Sequence, residues 1–150
     1  MSLRIVAIAH PSLVDLVDPF VDSIRRERRS FGRSATIKPF PSLVRDVADP
    51  ARTRFGTVDG GRLVAMASMA ADGDLAMIVD ADRRGEGIGT AMMTRAIEAA
   101  TVAGIGRLRM RSSHRSRPVA ALAESHGWTV VDMGRGRIEL FLDVARRGVG

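Results

Sequence analysis

The segment Arg83-Arg84-Gly85-Glu86-Gly87-Ile88-Gly89-Thr90 gathers the residue types best suited to hold a charged ligand. Glycine carries no Cβ, so backbone at such positions can come close to another group. Unpaired N–H groups at a helix start, together with the positive end of the helix dipole, suit a phosphate. Arg83 and Arg84 add positive charge at the rim. The spacing R-x-x-G-x-G, from Arg84 through Gly87 to Gly89, is shorter than a P-loop and no Gly-Lys-Ser/Thr follows; it is not G-x-G-x-x-G either. The plain alternative is a glycine-rich turn that only packs a helix against a strand. Asp74, a few residues upstream, is a carboxylate at the start of the preceding strand. It could equally belong to the turn Ala71-Asp72-Gly73-Asp74 and stay solvated, as Asx residues often do.

Other chemistries find little support. The 150 residues contain no cysteine, which removes disulfides, thiolate metal sites and a cysteine nucleophile. His10, His114 and His126 stand at no zinc-ligand spacing, so no metal is expected. His126 directly precedes Gly127 and is read as a packing or capping residue. The net charge is +6, carried by arginine with Lys38 the single lysine. Such charge suits a polyanion or a phosphorylated cofactor, or reflects an arginine-rich composition. Nucleic acid is disfavoured: aromatics are 4%, there is no tyrosine, and no basic run is interleaved with stacking residues. No apolar run approaches the roughly 18 residues a membrane span needs. Met1-Ser2-Leu3-Arg4-Ile5-Val6 does not read as a signal peptide, so a cytoplasmic location is expected.

The elements that must position these residues follow from periodicity. Leu3–Ala9 reads as a first strand. Asp18-Pro19 starts a helix, with Phe20, Val21 and Ile24 on its apolar face. The stretch from Ser30 to Pro41 reads as a loop, followed by a short helix over Ser42–Val47. Arg52–Val58 and Arg62–Ala70 form a hairpin about Asp59-Gly60-Gly61. Asp74–Val79 is a strand running into the glycine-rich turn, and Glu86–Ala103 is a helix with Ile88, Ala91, Met92, Ala96, Ala99 and Ala103 at helical spacing. Arg107–Arg111 is a strand with Leu108 and Met110 on one side and arginines on the other. Pro118–His126 is a second helix, and Trp128–Met133 and Ile138–Val144 close the chain as strands. One domain over 1–150 is expected, an α/β fold with a mixed sheet of about seven strands and helices on both faces.

Val79 through Gly89, with its preceding strand and following helix, resembles motif A of the GNAT superfamily of acetyltransferases. Gly61-Arg62-Leu63-Val64-Ala65 resembles that family's third strand, and Leu122-Ala123-Glu124-Ser125-His126-Gly127-Trp128 its motif B. Within the superfamily the chain looks most like the catalytic domains of bacterial Pat-type protein-lysine acetyltransferases, in the stretch Gly73-Asp74-Leu75-Ala76-Met77 and in Ser116-Arg117-Pro118. The resemblance implies strands four and five splayed apart with the thioester of acetyl-CoA between them. It implies pyrophosphate contacts from Arg84, Gly85, Gly87, Gly89 and Thr90, with Arg83 adding charge at the rim. It also implies a pantetheine arm paired with the Val79 backbone, and N–H donors for the acyl oxygen near Ile78 and Val79. Asp74 aligns with the glutamate that serves as base in the Pat-like domains; one methylene shorter, it would take the proton through a bridging water more readily than by direct contact. The implied reaction is attack of a primary amine, on a protein lysine or a small metabolite, on the thioester. A lysine-like amine has a pKa near 10.4, so its free base at neutral pH is scarce by roughly 4.6 kcal/mol, and a base or desolvation must supply part of that. Ala123 stands where many of these enzymes carry the tyrosine that protonates the thiolate. That departure keeps open a second function, a catalytically weak acyl-CoA-binding module. A homodimer is an admissible arrangement.

Overall fold

The structure, a computed structural model, describes residues 3–9, 11–30, 40–80, 83, 87–113 and 124–144. Arg84, Gly85, most of the expected loop after Ser30 and most of the expected Pro118–His126 helix lie outside them.

Strand β1 (Arg4–Ala7) is followed by a single helical turn, α1 (Pro11–Val14), and by α2 (Val17–Ser30). Pro19 lies in the first turn of α2, where a missing N–H costs nothing, so the helix opens near Asp18 as its sequence suggests. The turn α1 was not anticipated: four residues are too few for a periodicity to show. Helix α3 (Phe40–Ala48) starts two residues before the expected Ser42, with Pro41 tolerated in its first turn. The hairpin β2 (Thr53–Asp59) and β3 (Arg62–Met69) turns at Gly60 and Gly61, at φ of 57° and 77°, values that L side chains resist. β4 (Leu75–Val79), α4 (Ile88–Val102), β5 (Arg107–Ser113), β6 (Thr129–Gly134) and β7 (Arg137–Asp143) complete the order.

The strands form two sheets, a four-stranded one in the order β1-β2-β3-β4 and a three-stranded one in the order β5-β7-β6. Every ladder within each sheet is antiparallel. The sheets touch through one parallel bridge, Asp74 to Arg109, so the expected mixed sheet is mixed at that single junction. Helices cover both faces of the first sheet. Side chains alternate across a strand, and β4 shows it. Leu75 belongs to the core under α4, with Ile88, Met92, Met93, Ala96 and Ala100, whereas Ala76 and Ile78 belong to a second core under α2 and α3. Met92 and Met93 are fully buried, a contribution of about 1.5–3 kcal/mol each. The buried stripe of α4 therefore runs through Met93 and Ala100 and leaves Ala91 and Ala103 exposed. No described helix is long and apolar enough to cross a membrane.

Candidate acetyl-CoA and acceptor site

The junction between the sheets is built from a tight turn. Gly73 N–H donates to Ala70 C=O at 3.0 Å, and Gly73 C=O accepts from Arg109 N–H at 2.9 Å. Gly73 sits at φ 94°, and a Cβ there would collide with the Arg107 carbonyl, so only glycine lets β5 come this close. Beyond Asp74 the strands part. Past the Asp74–Arg109 bridge no ladder joins β5 to β4 among the described residues, and the two strands open a V with that pair at its apex.

Register decides which backbone groups face that V. Hydrogen-bonded pairs recur at every second residue of an antiparallel ladder. Asp80 N–H donates to Val64 C=O at 2.9 Å, and Ala70 N–H to Asp74 C=O at 2.9 Å. With Ile78 opposite Met66 and Ala76 opposite Ser68, these residues also spend their N–H and C=O on β3. Leu75, Met77 and Val79 direct theirs away from β3, Leu75 beside the Arg109 bridge and Met77 and Val79 into the gap. Of the two residues expected to supply N–H donors, Val79 faces the gap and Ile78 faces β3. Met77, which sequence reasoning missed, turns its N–H towards the gap where Ile78 does not; strand register decides this, and periodicity does not give it.

At the mouth of the V lies the start of α4. Gly87, its N-cap, has φ 82° and ψ 5°, makes no side-chain cap hydrogen bond, and faces open space where its Cβ would be. The first turn holds no acidic residue. The N–H groups of Gly87, Ile88, Gly89 and Thr90 thus stand at the positive end of a 15-residue helix whose own first turn carries no carboxylate. Arg83 is otherwise engaged: its guanidinium pairs with Asp59 at 2.8 Å, so its charge is shared with the end of β2. Arg84 and Gly85 fall outside the described residues.

Asp74 is not a solvated turn residue. It is 7% exposed, and Asp72 forms the Asx turn, its Oδ1 accepting the Asp74 N–H at 3.0 Å. The Asp74 carboxylate is shared by three guanidiniums: Arg52 reaches Oδ2 at 3.1 Å, and Arg109 and Arg111 reach Oδ1 at 3.3 and 3.5 Å. Arg52 also donates to Ser68 Oγ at 2.9 Å, to Ser68 C=O at 3.3 Å and to Asp74 C=O at 2.6 Å. Ser68 in turn donates to the Asp46 carbonyl near the end of α3 at 2.6 Å. The arrangement ties α3, β3, β4 and β5 together behind the V. Nothing in the sequence pattern marked Arg52 as part of it. The β5 arginines do share one face, yet each is paired with an acid: Arg107 binds Asp143 at 3.1 Å and lies over the Phe141 ring, while Arg109 and Arg111 hold Asp74. His126 lies beside Ser125, with Ser125 Oγ 3.2 Å from its Nδ1. Among the described residues no group of three His, Asp or Glu side chains could hold a metal.

An open edge on β4 and an uncapped glycine start to α4 fit a ligand with an amide-bearing arm and a pyrophosphate. The comparisons point the same way. Solved structures match over nearly the whole chain. A GNAT-family acetyltransferase from Streptococcus pneumoniae aligns at TM-score 0.71 and 16% identity, covering 95% of this chain and 99% of that one. The PaiA N-acetyltransferase from Thermoplasma acidophilum in complex with coenzyme A aligns at 0.73 and 12%, covering 95% and 99%. The GNAT domain of S. lividans PAT aligns at 0.69 and 17%, covering 94% and 90%. At such identities the likeness speaks for the fold. No curated protein sequence matches the chain. The model of the Acetyltransferase (GNAT) family matches residues 20–128, and the chain belongs to that family of acetyl-CoA-dependent acetyltransferases.

Proposed function

We propose that this enzyme moves the acetyl group of acetyl-CoA onto a primary amine, on a small metabolite or a protein lysine, by direct attack. The observation that carries the reading is the V between β4 and β5, with gap-facing backbone on one wall and the uncapped start of α4 at its mouth. In this reading the pyrophosphate meets the N–H groups of Gly85, Gly87, Gly89 and Thr90, with Arg84 at its rim. The pantetheine arm pairs with Val79 as an added strand would, and the Met77 N–H donates to the acyl oxygen as charge builds on it. The amine nitrogen bonds to the carbonyl carbon, the C–S bond breaks, and the second proton shed by the nitrogen passes through water to the departing thiolate.

Asp74 is the proposed acceptor of the ammonium proton. It lies at the apex of the V on the α2–α3 side, so the acceptor enters from that face. Its oxygens are engaged by arginines, so at least one of those bonds must loosen before Oδ1 can take a proton. The same engagement, with the absence of tyrosine from the chain, favours the second reading, a weak acyl-CoA-binding module. A kinship with Pat-type enzymes and a cytoplasmic location belong to the proposal as well; the S. lividans PAT domain is one neighbour among several of like score.

Thiol release from acetyl-CoA against a panel of amines, run beside acetyl-CoA binding by calorimetry, tests the reading. Binding with amine-dependent release is expected. Binding without release from any amine would leave the module, and no binding at all would sink both.

A further inference from the structure

We infer that Arg109 and Arg111 form an anion anchor for the acceptor, so that the preferred substrate is an amine carrying a carboxylate or phosphate group. The inference rests on the acetyltransferase reading and deepens it.

Three guanidiniums share a single carboxylate in the Asp74 cluster, a surplus of two positive charges. The surplus is unevenly placed. The Arg52 side chain is 11% exposed and satisfied by short bonds to Ser68 and Asp74. Arg109 and Arg111 are 38% and 59% exposed, and both lean on the same oxygen at 3.3 and 3.5 Å, long for charge-assisted contacts. Arg109 Nε is buried and has no hydrogen-bond partner. A buried donor left unpaired calls for an explanation, and a bound acceptor group is one. Neighbouring acids do not cancel the surplus. Asp143 is taken by Arg107. Glu139 stands opposite Arg111 on β7, yet no ion pair within 4.0 Å joins them.

Position makes the surplus useful. Both side chains lie on the Asp74 face of the β4–β5 junction, beside the apex of the V and opposite the α4 core that holds Leu108 and Met110. An anionic group arriving there can draw the two guanidiniums away from Oδ1, since guanidinium forks match carboxylate and phosphate oxygens well. Oδ1 then loses two donors at the moment when the amine is bound. Anchoring the anion and freeing the base become one event, and no covalent step beyond the acetyl transfer is needed.

The test uses matched acceptors: an L-amino acid against its α-carboxamide, and phosphoethanolamine against ethanolamine. The anionic member of at least one pair should be preferred in kcat/KM, and the pair that shows it identifies carboxylate or phosphate as the source. Arg111→Gln, at the most exposed of the three, should cut that preference by roughly ten- to hundredfold, mainly through KM, as expected on losing a hydrogen bond to a charged group. Arg107→Gln, which removes an equal charge on the same strand but pairs with Asp143, should leave the preference as it was. Calorimetry of the same anionic amines with CoA-saturated protein gives a readout free of turnover, and Arg111→Gln should abolish the heat. Equal or better use of the neutral members would overturn the anchor, as would an unchanged preference in Arg111→Gln, or a lysine peptide that outperforms every anionic amine. Absence of heat from all anionic amines would overturn it too. Heat without thiol release would count against the transferase reading alone and leave the anchor standing.

Discussion

Asp74 combines an observed structural role with the proposed role of base. Its Oδ2 belongs to Arg52, buried behind the strands, while Oδ1 faces the more exposed arginines of β5. Asp74→Asn is expected to lower turnover by roughly 10²–10⁴-fold, the range for losing a general base. It should also destabilise the fold by on the order of 3 kcal/mol, because Arg52 is left buried without its anion. The two effects separate if rates are taken well below the unfolding midpoint of the variant. Parental turnover in folded Asp74→Asn would remove the residue from proton transfer and leave desolvation of the amine as the driving device. Gly87 offers a cleaner contrast. A side chain there enters open space, so the only cost in the free protein is the left-handed backbone, about 1–2 kcal/mol. Gly87→Ala and Gly87→Glu should therefore melt alike. Gly87→Glu alone should lose acetyl-CoA binding in calorimetry, since its carboxylate occupies the pyrophosphate position. Similar affinities for the two variants would move the pyrophosphate away from this turn.

At the scale of elements, the working parts are the strand junction and the helix start, and they differ in how far they could be read from the sequence. The start of α4 was readable because glycine spacing and the following apolar stripe are local signals. The hairpin β2–β3 was readable for the same reason, through Asp59-Gly60-Gly61. The splay was reached only through family resemblance, since the junction it opens from depends on a close approach of Gly73 to the Arg107 carbonyl of β5, more than 30 residues away, which no local pattern reveals. The Arg52–Asp74 pair and the gap-facing Met77 N–H were unreadable too: both depend on which strands pair and in what register, and periodicity is silent on that. Gly73→Ala tests the junction directly. A methyl there must displace the Arg107 carbonyl and hold a positive φ, so a loss of about 2–5 kcal/mol in denaturant unfolding is expected. Because the Asp74–Arg109 bridge is the backbone pairing that joins the two strands among the described residues, acetyl-CoA affinity should fall with it. Full stability in Gly73→Ala would show that the strands can part without cost and that the apex does not set the shape of the gap.

Over the whole molecule the net charge of +6 meets a ligand rich in phosphate, so association should be steered and salt-sensitive. Screening acts over about 8 Å at physiological ionic strength, which separates the local share from the distant one. Arg83 and Arg84 adjoin in sequence but are predicted to behave differently. Arg83 is half of an ion pair with Asp59, both side chains largely buried, so the pair presents little net charge to an approaching phosphate. Arg83→Ala should affect CoA binding through the lost tie between the loop and β2, as a faster dissociation with nearly the parental salt dependence. Arg84→Ala should instead slow association and flatten its dependence on salt, because it removes charge at the rim of the pyrophosphate position. Stopped-flow binding of CoA across a salt series, with Asp59→Asn as a third variant, resolves the two. Asp59→Asn leaves the Arg83 charge uncompensated, so it should speed association at low salt even though it removes a stabilising pair. If Arg83→Ala and Arg84→Ala flatten the salt dependence equally, the Asp59 pair does not shield Arg83, and the steering field is a sum of loop charges with no division of labour between them.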